Sequence, residues 1–381
     1  MKFSVSSEKF KKIISLAVRV CGNNLTIPIL NNVLIELQGN NLNISSTNLE
    51  IGLLISLPVG GEKDGKITLP GKIFFDFVSL LPKGEIKIKE KDLAVIIECG
   101  EFKAKILGQD PKDFPIIPEV KEENIAEIFS QTMVSSFSKV SHVVSPSDSR
   151  VEISGVLMKF NKKKLKLVGT DSIRLSEKSI ELQEEVKEKS IIIPQKTALE
   201  VGYVFSGLEG SVGVALSPSQ ISFNFKPKEA TESKIILISR LIEGQYPEYE
   251  GTIPQKTRIK IFLDKEELQK KIRIASLFSS RIQDVKFKFE PEKESIKIFA
   301  SSSDVGEGSF KIQGKIEIEE IEKENLGNLP EISFNWKYFL DGLAVIEASE
   351  VSFGVNDSSS ATVLRPVGDK TYLYLLMPKV F

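Results

Sequence analysis

One pattern occurs three times, in the same order, along the 381 residues of this chain, and nothing else in the sequence limits its fold so strongly. A strand-like run ending in a small polar cluster appears as LNISSTNLE with Thr47 and Asn48, as LKLVGTDSIR with Thr170 and Asp171, and as IKIFASSSDVGE with Ser303 and Asp304. The spacings are 123 and 133 residues. A second landmark, an apolar strand feeding a helix that begins at a lysine, appears as ITLPGKIFFDFVSLLP at Lys72, IIIPQKTALEVGYVFS at Lys196 and ISFNWKYFLDGLAVIE at Lys337. Within a copy the two landmarks lie 25, 26 and 34 residues apart. A repeat of this length is the size of a domain, so the chain is expected to hold three, over residues 1–120, 126–248 and 256–381.

Each copy shows two helical patterns with apolar residues on one face. The first pattern places Phe10, Ile13, Ile14 and Ala17, then Met133, Phe137, Val140 and Val144, then Leu268, Ile272 and Ala275 toward a core. The second does the same with Phe74, Phe77, Val78 and Leu81, with Ala198, Val201, Gly202 and Phe205, and with Phe339, Gly342, Leu343 and Ile346. The remainder is rich in runs such as EIKIKEKDLAVIIE and VKFKFEPEKESIKIFA, where apolar and charged residues alternate as in half-buried antiparallel strands. Many strands and two one-sided helices per copy predict an α+β architecture, with helices laid on one face of sheet.

Several kinds of chemistry are poorly served by this composition. The single histidine, His142, has no nucleophile motif near it, and the two cysteines, Cys21 and Cys99, stand far from it and from each other. A hydrolytic triad, a zinc site and a disulfide framework are therefore not expected. Residues 60–67, GGEKDGKI, approach a phosphate-binding loop but end in Ile67, which has no hydroxyl for magnesium, and a strand-like run follows; the segment reads as a turn. No cofactor or metal is expected. No stretch of eighteen residues is free of charge and the N-terminus lacks an apolar signal core, which points to a cytoplasmic protein without membrane association.

The charges balance, 51 Lys plus Arg against 52 Asp plus Glu, yet they are unevenly placed. The polar sides of the first helices carry Lys9, Lys11, Lys12 and Arg19 in copy one, Lys139 in copy two, and Lys270, Lys271 and Arg273 in copy three, while acids collect in strands and loops. Such segregation suits weak, sequence-independent contact with phosphates. No base-reading signature accompanies it.

With the copies laid out, the sequence resembles the bacterial sliding clamps, the β subunits of DNA polymerase III. The likeness runs from MKFSV to LLMPKVF through NLTIPILNNVLIEL, SRVEISGVLM, GTDSIRLSEKSI and SRLIEGQYPEYE. The resemblance implies a head-to-tail homodimer whose six copies close into a ring, with sheets outside and helices lining a hole for duplex DNA. The implied partners are double-stranded DNA, the DNA polymerase III catalytic subunit, a clamp-loader ATPase complex, and other polymerases and repair proteins carrying clamp-binding peptides. By position, the family's peptide pocket falls on Ile153, Thr170, Ser172, Ile173, Arg174, Leu175, Pro247, Leu375, Leu376, Met377 and Pro378. Its DNA-touching positions fall on Asn24, where the family has an arginine, and on Lys72, Arg150 and Lys196. Repeat symmetry adds Lys337, and the basic helix faces add Lys12, Arg19 and Lys271. Ile106 and Leu277 match the dimer interface, while Ala104 stands where a phenylalanine is common, with Phe102 or Phe278 nearby to compensate. Ser172 and Ile173 replace a frequent Gly and His, and the chain ends Lys379, Val380, Phe381, departures that shift the expected peptide preference toward greasier ligands.

The expected role is thus a processivity factor without an active site of its own. Two other classes compete at this stage. A carboxylate active site in a cleft between copies would use the plentiful acids. A repeat-built protein-interaction scaffold would explain the sheets and the apolar terminus, but not the basic helices.

Overall fold

A computed structural model describes all residues except 23–25, 121–123, 146, 148, 230–231, 319–330 and 381, so Asn24 and Phe381 lie outside the described residues. Six α-helices occur among the described residues, two in each copy: α1 (Ser7–Val20), α2 (Gly71–Leu80), α3 (Ser130–Ser141), α4 (Gln195–Val204), α5 (Lys265–Ser276) and α6 (Trp336–Ala344). The inward faces read from periodicity are buried. Phe10, Ile14, Met133, Phe137, Leu268, Ile272, Phe74, Ala198 and Phe339 are each at most 1% exposed, although Phe77 is only half-buried. Two starts are fixed by side chains: Asp264 accepts from the Glu267 amide at 2.7 Å, and Asn335 accepts from the Lys337 amide at 3.0 Å.

Among the described residues the strands form four sheets, with antiparallel pairing wherever register is defined. A five-stranded sheet runs in the order 60–63, 2–6, 85–91, 94–99, 102–107, and a four-stranded sheet in the order 306–313, 295–302, 284–290, 332–335. Residues 60–63, read from sequence as part of a turn, are instead an edge strand pairing with residues 2–4. The two larger sheets cross from one copy to the next. In the eight-stranded sheet Ile51–Ser56 pairs with Lys234–Ser239, joining the first copy to the second. In the seven-stranded sheet Arg174–Lys178 pairs with Tyr372–Leu376, joining the second to the third.

Because the sheets cross, the compact units do not follow the thirds of the chain. One unit comprises residues 1–134, 182–186 and 200–241; the other comprises 135–181, 187–199 and 242–381. In the second unit an aromatic cluster of Phe287, Phe334, Phe339 and Phe353, with ring centroids 5.0–5.9 Å apart, fills the space beneath α5 and α6. No helix among the described residues is long and apolar enough to cross a membrane.

Candidate functional site

Strand alternation divides the last strand, Tyr372–Leu376, between two cores. Tyr372, Tyr374 and Leu376 face the aromatic cluster. Leu373 and Leu375 face the other way and pack with Ile153, Leu157, Val168, Leu175, Tyr246, Tyr249 and Val363. On that second side a cavity of about 160 Å³ opens, lined mostly by apolar surface. Of the residues expected around a peptide pocket, Ile153, Thr170, Ser172, Ile173, Arg174, Leu175, Pro247, Leu375 and Met377 line it. Leu376 and Pro378 do not: Leu376 is on the opposite face of its strand, and Pro378 is buried away from the cavity. Tyr246, Glu248, Tyr249, Thr252 and Ala361 also line it, and sequence reasoning missed them. The aromatic-proline run around Pro247 was the signal available for Tyr246 and Tyr249.

One wall is a tight turn over residues 170–174. Thr170 Oγ1 donates to the Arg174 carbonyl at 2.7 Å and accepts from the Ser172 amide at 3.0 Å, while Asp171 Oδ1 accepts from the amides of Ile173 and Arg174, both at 3.0 Å. This geometry drives Ser172 to φ +77°, a region that favours glycine. It also leaves Ile173 47% exposed at the rim. Arg150 joins the rim and donates to Ser172 Oγ at 2.7 Å. The opposite wall is pinned from behind. The Tyr249 hydroxyl donates to the buried Glu177 carboxylate at 2.6 Å, and burial, then this contact, raises the phenol's pKa. Lys159 and Lys166 both reach Glu250 at 3.3 Å and hold its carboxyl below the ordinary range.

Arg174, which lines this cavity, is tied to Asp171 Oδ2 at 3.0 Å and to Asp341 Oδ2 at 2.5 Å, and its guanidinium stacks over the Tyr338 ring at 4.2 Å. Burial opposes its charge, but Tyr374 and the two carboxylates outweigh burial and hold its pKa up. His142 lies beside this group, stacked on Tyr374. Burial and then Arg174 lower its pKa, which keeps the imidazole neutral at pH 7. Cys21 is equally inert: burial pushes its thiol up to about 12.

The cations read as phosphate-facing separate into two groups. Lys12, Lys72, Lys196 and Lys337 are exposed, and none has an ion-pair partner among the described residues. Arg19 is engaged by Glu200, at 2.9 and 3.0 Å, and lies over the Tyr203 ring at 3.6 Å. Lys271 donates to Glu267 and to the Lys311 carbonyl, so Lys270 and Arg273 are the outward cations of α5. Lys139 is buried, 8% exposed, and faces Glu347 at 3.4 Å. The outward face of α3 is therefore neutral, with Gln131, Thr132 and Ser138 exposed, and a cation on every helix face is not what the fold provides. The charged heads turn aside because each long side chain finds an acid or a carbonyl that sequence position alone does not reveal.

Of the interface candidates, Leu277 is 68% exposed, but Ile106 is 7% exposed and packs into its own unit. The exposed apolar residues of strand 102–107 are Phe102 and Leu107, and Ala104 is half-buried. Both this strand and strand 306–313 are sheet edges.

Comparison with known proteins agrees along the whole chain. The N-terminal, central and C-terminal domains of the DNA polymerase III beta subunit match residues 1–118, 127–248 and 251–380 in that order. The beta sliding clamp of Staphylococcus epidermidis is 25% identical over 387 residues, covering 99% of each chain, and that of Staphylococcus aureus is 24% identical with the same coverage. Among solved structures, the DNA polymerase sliding clamp of Bacillus subtilis superposes with a TM-score of 0.89 at 25% identity, covering 100% of this chain and 99% of that one. The DNA polymerase III beta subunit of Thermotoga maritima gives 0.90 at 23% identity over 100% and 99%, a likeness of fold alone. Three successive domain matches, full-length relatives and one shared architecture lead to a single conclusion: this chain belongs to the DNA polymerase III beta subunit family.

Proposed function

We infer that this chain works as a sliding clamp, a homodimeric ring that encircles duplex DNA and tethers polymerases to it. The carrying observation is the run of three domains of one family, in order, over nearly the whole chain. The physical logic follows from what a moving tether needs. Tight phosphate contacts resist sliding and weaken as salt rises, whereas a closed ring is retained by topology and needs only diffuse positive charge on its inner surface. Lys12, Lys72, Lys196, Lys270, Arg273 and Lys337 supply such charge, and Arg19 and Lys271 contribute less because acids already neutralise them. The ring is a processivity factor and not an enzyme; polymerase and ATPase chemistry belong to its partners, the DNA polymerase III catalytic subunit and the clamp loader. It acts in the cytoplasm.

The cavity between the 170–174 turn, the 246–252 segment and the chain end receives the linear peptides of clients. Its apolar floor of Ile153, Leu175, Leu375 and Met377 takes their hydrophobic side chains, and Met377 adapts to different shapes. Two such pockets in a dimer let clients exchange without leaving DNA. The edges 102–107 and 306–313 offer unpaired backbone groups through which one protomer's first domain joins its partner's third. The test is retention on a circle. Loaded protein is expected to stay on nicked circular plasmid through gel filtration and to run off after linearisation; equal retention on both forms rejects encirclement.

A further inference from the structure

Tyr246 and Tyr249 share the segment that walls the client pocket, and their rings meet edge to face with centroids 6.5 Å apart. Their hydroxyls fare differently. That of Tyr249 is held by the Glu177 carboxylate at 2.6 Å. That of Tyr246 is buried, in a residue only 8% exposed, with no hydrogen-bond partner among the described residues. A hydroxyl so placed has given up its bonds to solvent and gained none from the protein, which penalises this position of the ring. One tyrosine is tethered and its neighbour is not.

A second cavity, of about 220 Å³, lies against the same segment. Tyr246, Pro247, Glu248 and Tyr249 line both it and the client pocket, so this short run of chain is the partition between them. The two spaces differ in character. The client pocket is floored by Ile153, Leu175, Leu375 and Met377, whereas the second cavity presents Lys159, Ser190, Gln245 and Glu250. Volume decides what each can take. An apolar cavity of about 150 Å³ holds one benzene ring. The client pocket, at about 160 Å³, therefore accepts a group of that size and not a fused bicycle. The second cavity has room for the phenol ring of Tyr246 and polar atoms to meet its hydroxyl.

We propose that Tyr246 is a swinging partition that sets which client side chains the pocket takes: a bicyclic aromatic group drives its ring into the second cavity, where the hydroxyl gains a hydrogen bond. This inference rests on the reading of the first cavity as the client pocket and deepens it by naming a ligand class, bulky aromatic side chains beside smaller apolar ones. The unpaired hydroxyl favours the exchange. With the ring in its present place a polar group is unsatisfied; with the ring swung away that group is satisfied, and the pocket is enlarged by the space the ring leaves. Tyr249 stays, because its bond to Glu177 would have to break.

Benzene and indole are the probes, titrated against the full chain and followed by ligand-observed NMR. Met377→Asp puts a charge in the pocket and is expected to abolish binding of both, which locates them there. Tyr246→Phe keeps the ring and removes the hydroxyl: benzene affinity should hold while indole weakens about tenfold, and the thermal midpoint should not fall. With 3-fluorotyrosine at all six tyrosines, the resonance missing from Tyr246→Phe should move several-fold further on adding indole than on adding benzene. Equal indole affinity in the two proteins, an equal response of that resonance to both probes, or a lowered midpoint overturns the swinging partition, while benzene binding keeps the pocket reading standing. Failure of both probes to bind at the site sensitive to Met377→Asp overturns the apolar pocket and the partition together.

Discussion

The region where the first copy meets the second and the region where the second meets the third are built on the same backbone, but among the described residues the apolar pocket walled by the turn belongs to the second. Both begin with one turn. Thr47 Oγ1 donates to the Ile51 carbonyl at 2.8 Å and accepts from the Leu49 amide at 3.0 Å, and Asn48 Oδ1 accepts from the amides of Glu50 and Ile51, the pattern of Thr170 to Arg174. Leu49 has φ +75° where Ser172 has +77°. In both, the strand after the turn pairs with the last strand of the next copy, and a guanidinium is held by a carboxylate and a tyrosine ring from that copy. The divergence lies in a few side chains. The residue five past the threonine is Gly52 in one region and Leu175 in the other, and Ile117 lies so close over Gly52 that an added Cβ would come within 2.5 Å of it. In the second region Leu175, Tyr246, Tyr249 and Leu375 leave open space instead. Duplication supplied the scaffold; substitution at the wall made the site.

The ion pairs separate the two regions most sharply. Arg174 and its partner Asp171 have side chains only 11% exposed, so Arg174→Ala strands a carboxylate in a poorly solvated place and is expected to cost about 3 kcal/mol. Arg19 is 38% exposed at its side chain and solvent screens its charge, but its partner Glu200 is only 8% exposed, so Arg19→Ala is expected to cost about 2 kcal/mol. Urea unfolding at one pH measures both; equal losses would mean that the two latches do not differ in burial as described. Met377→Asp places a charge against the apolar floor and is expected to weaken a fluorescein-labelled client peptide about a hundredfold, read by polarisation, with the thermal midpoint unchanged. Binding that survives the change would place the client elsewhere, and the first region would then be the next to probe.

The repeat, the helix faces and the α+β class were legible because burial imposes a period on the sequence. Leu375 and Leu376 also obey a legible rule, alternation along a strand, which separates pocket from core; assigning both to the pocket overlooked it. What the sequence conceals is which strands meet across copies. Nothing local to Ile51–Ser56 indicates Lys234–Ser239 as its partner, and so the continuous sheets, and the compact units that cut through the second copy, were not foreseen. The same holds for Lys139 and Lys271: a lysine on a helix reads as a surface charge until its acceptor, Glu347 or the Lys311 carbonyl, is brought to it by the fold. In copy three the landmark is offset by one residue. The Asp304 amide donates to Ser302 Oγ at 3.3 Å, so Ser302 and not Ser303 takes the place of Thr47 and Thr170.

The smallest effect tests whether the two turns are strained alike. A side chain held at φ near +75° costs about 1 kcal/mol, which glycine relieves at some expense in unfolded-state entropy. Leu49 is 44% exposed, and its side chain makes no hydrogen bond that glycine would forfeit, so Leu49→Gly should gain about 0.5 kcal/mol. Ser172→Gly relieves the same strain but removes the acceptor for Arg150, an exposed contact of similar size, and should leave stability unchanged within error. Paired thermal melts decide the point. A gain at Ser172 equal to that at Leu49 would show that the Arg150 contact contributes nothing to the fold. The serine would then have to be explained by what it presents to a bound peptide, and the two turns, alike in backbone, would differ only in what they face.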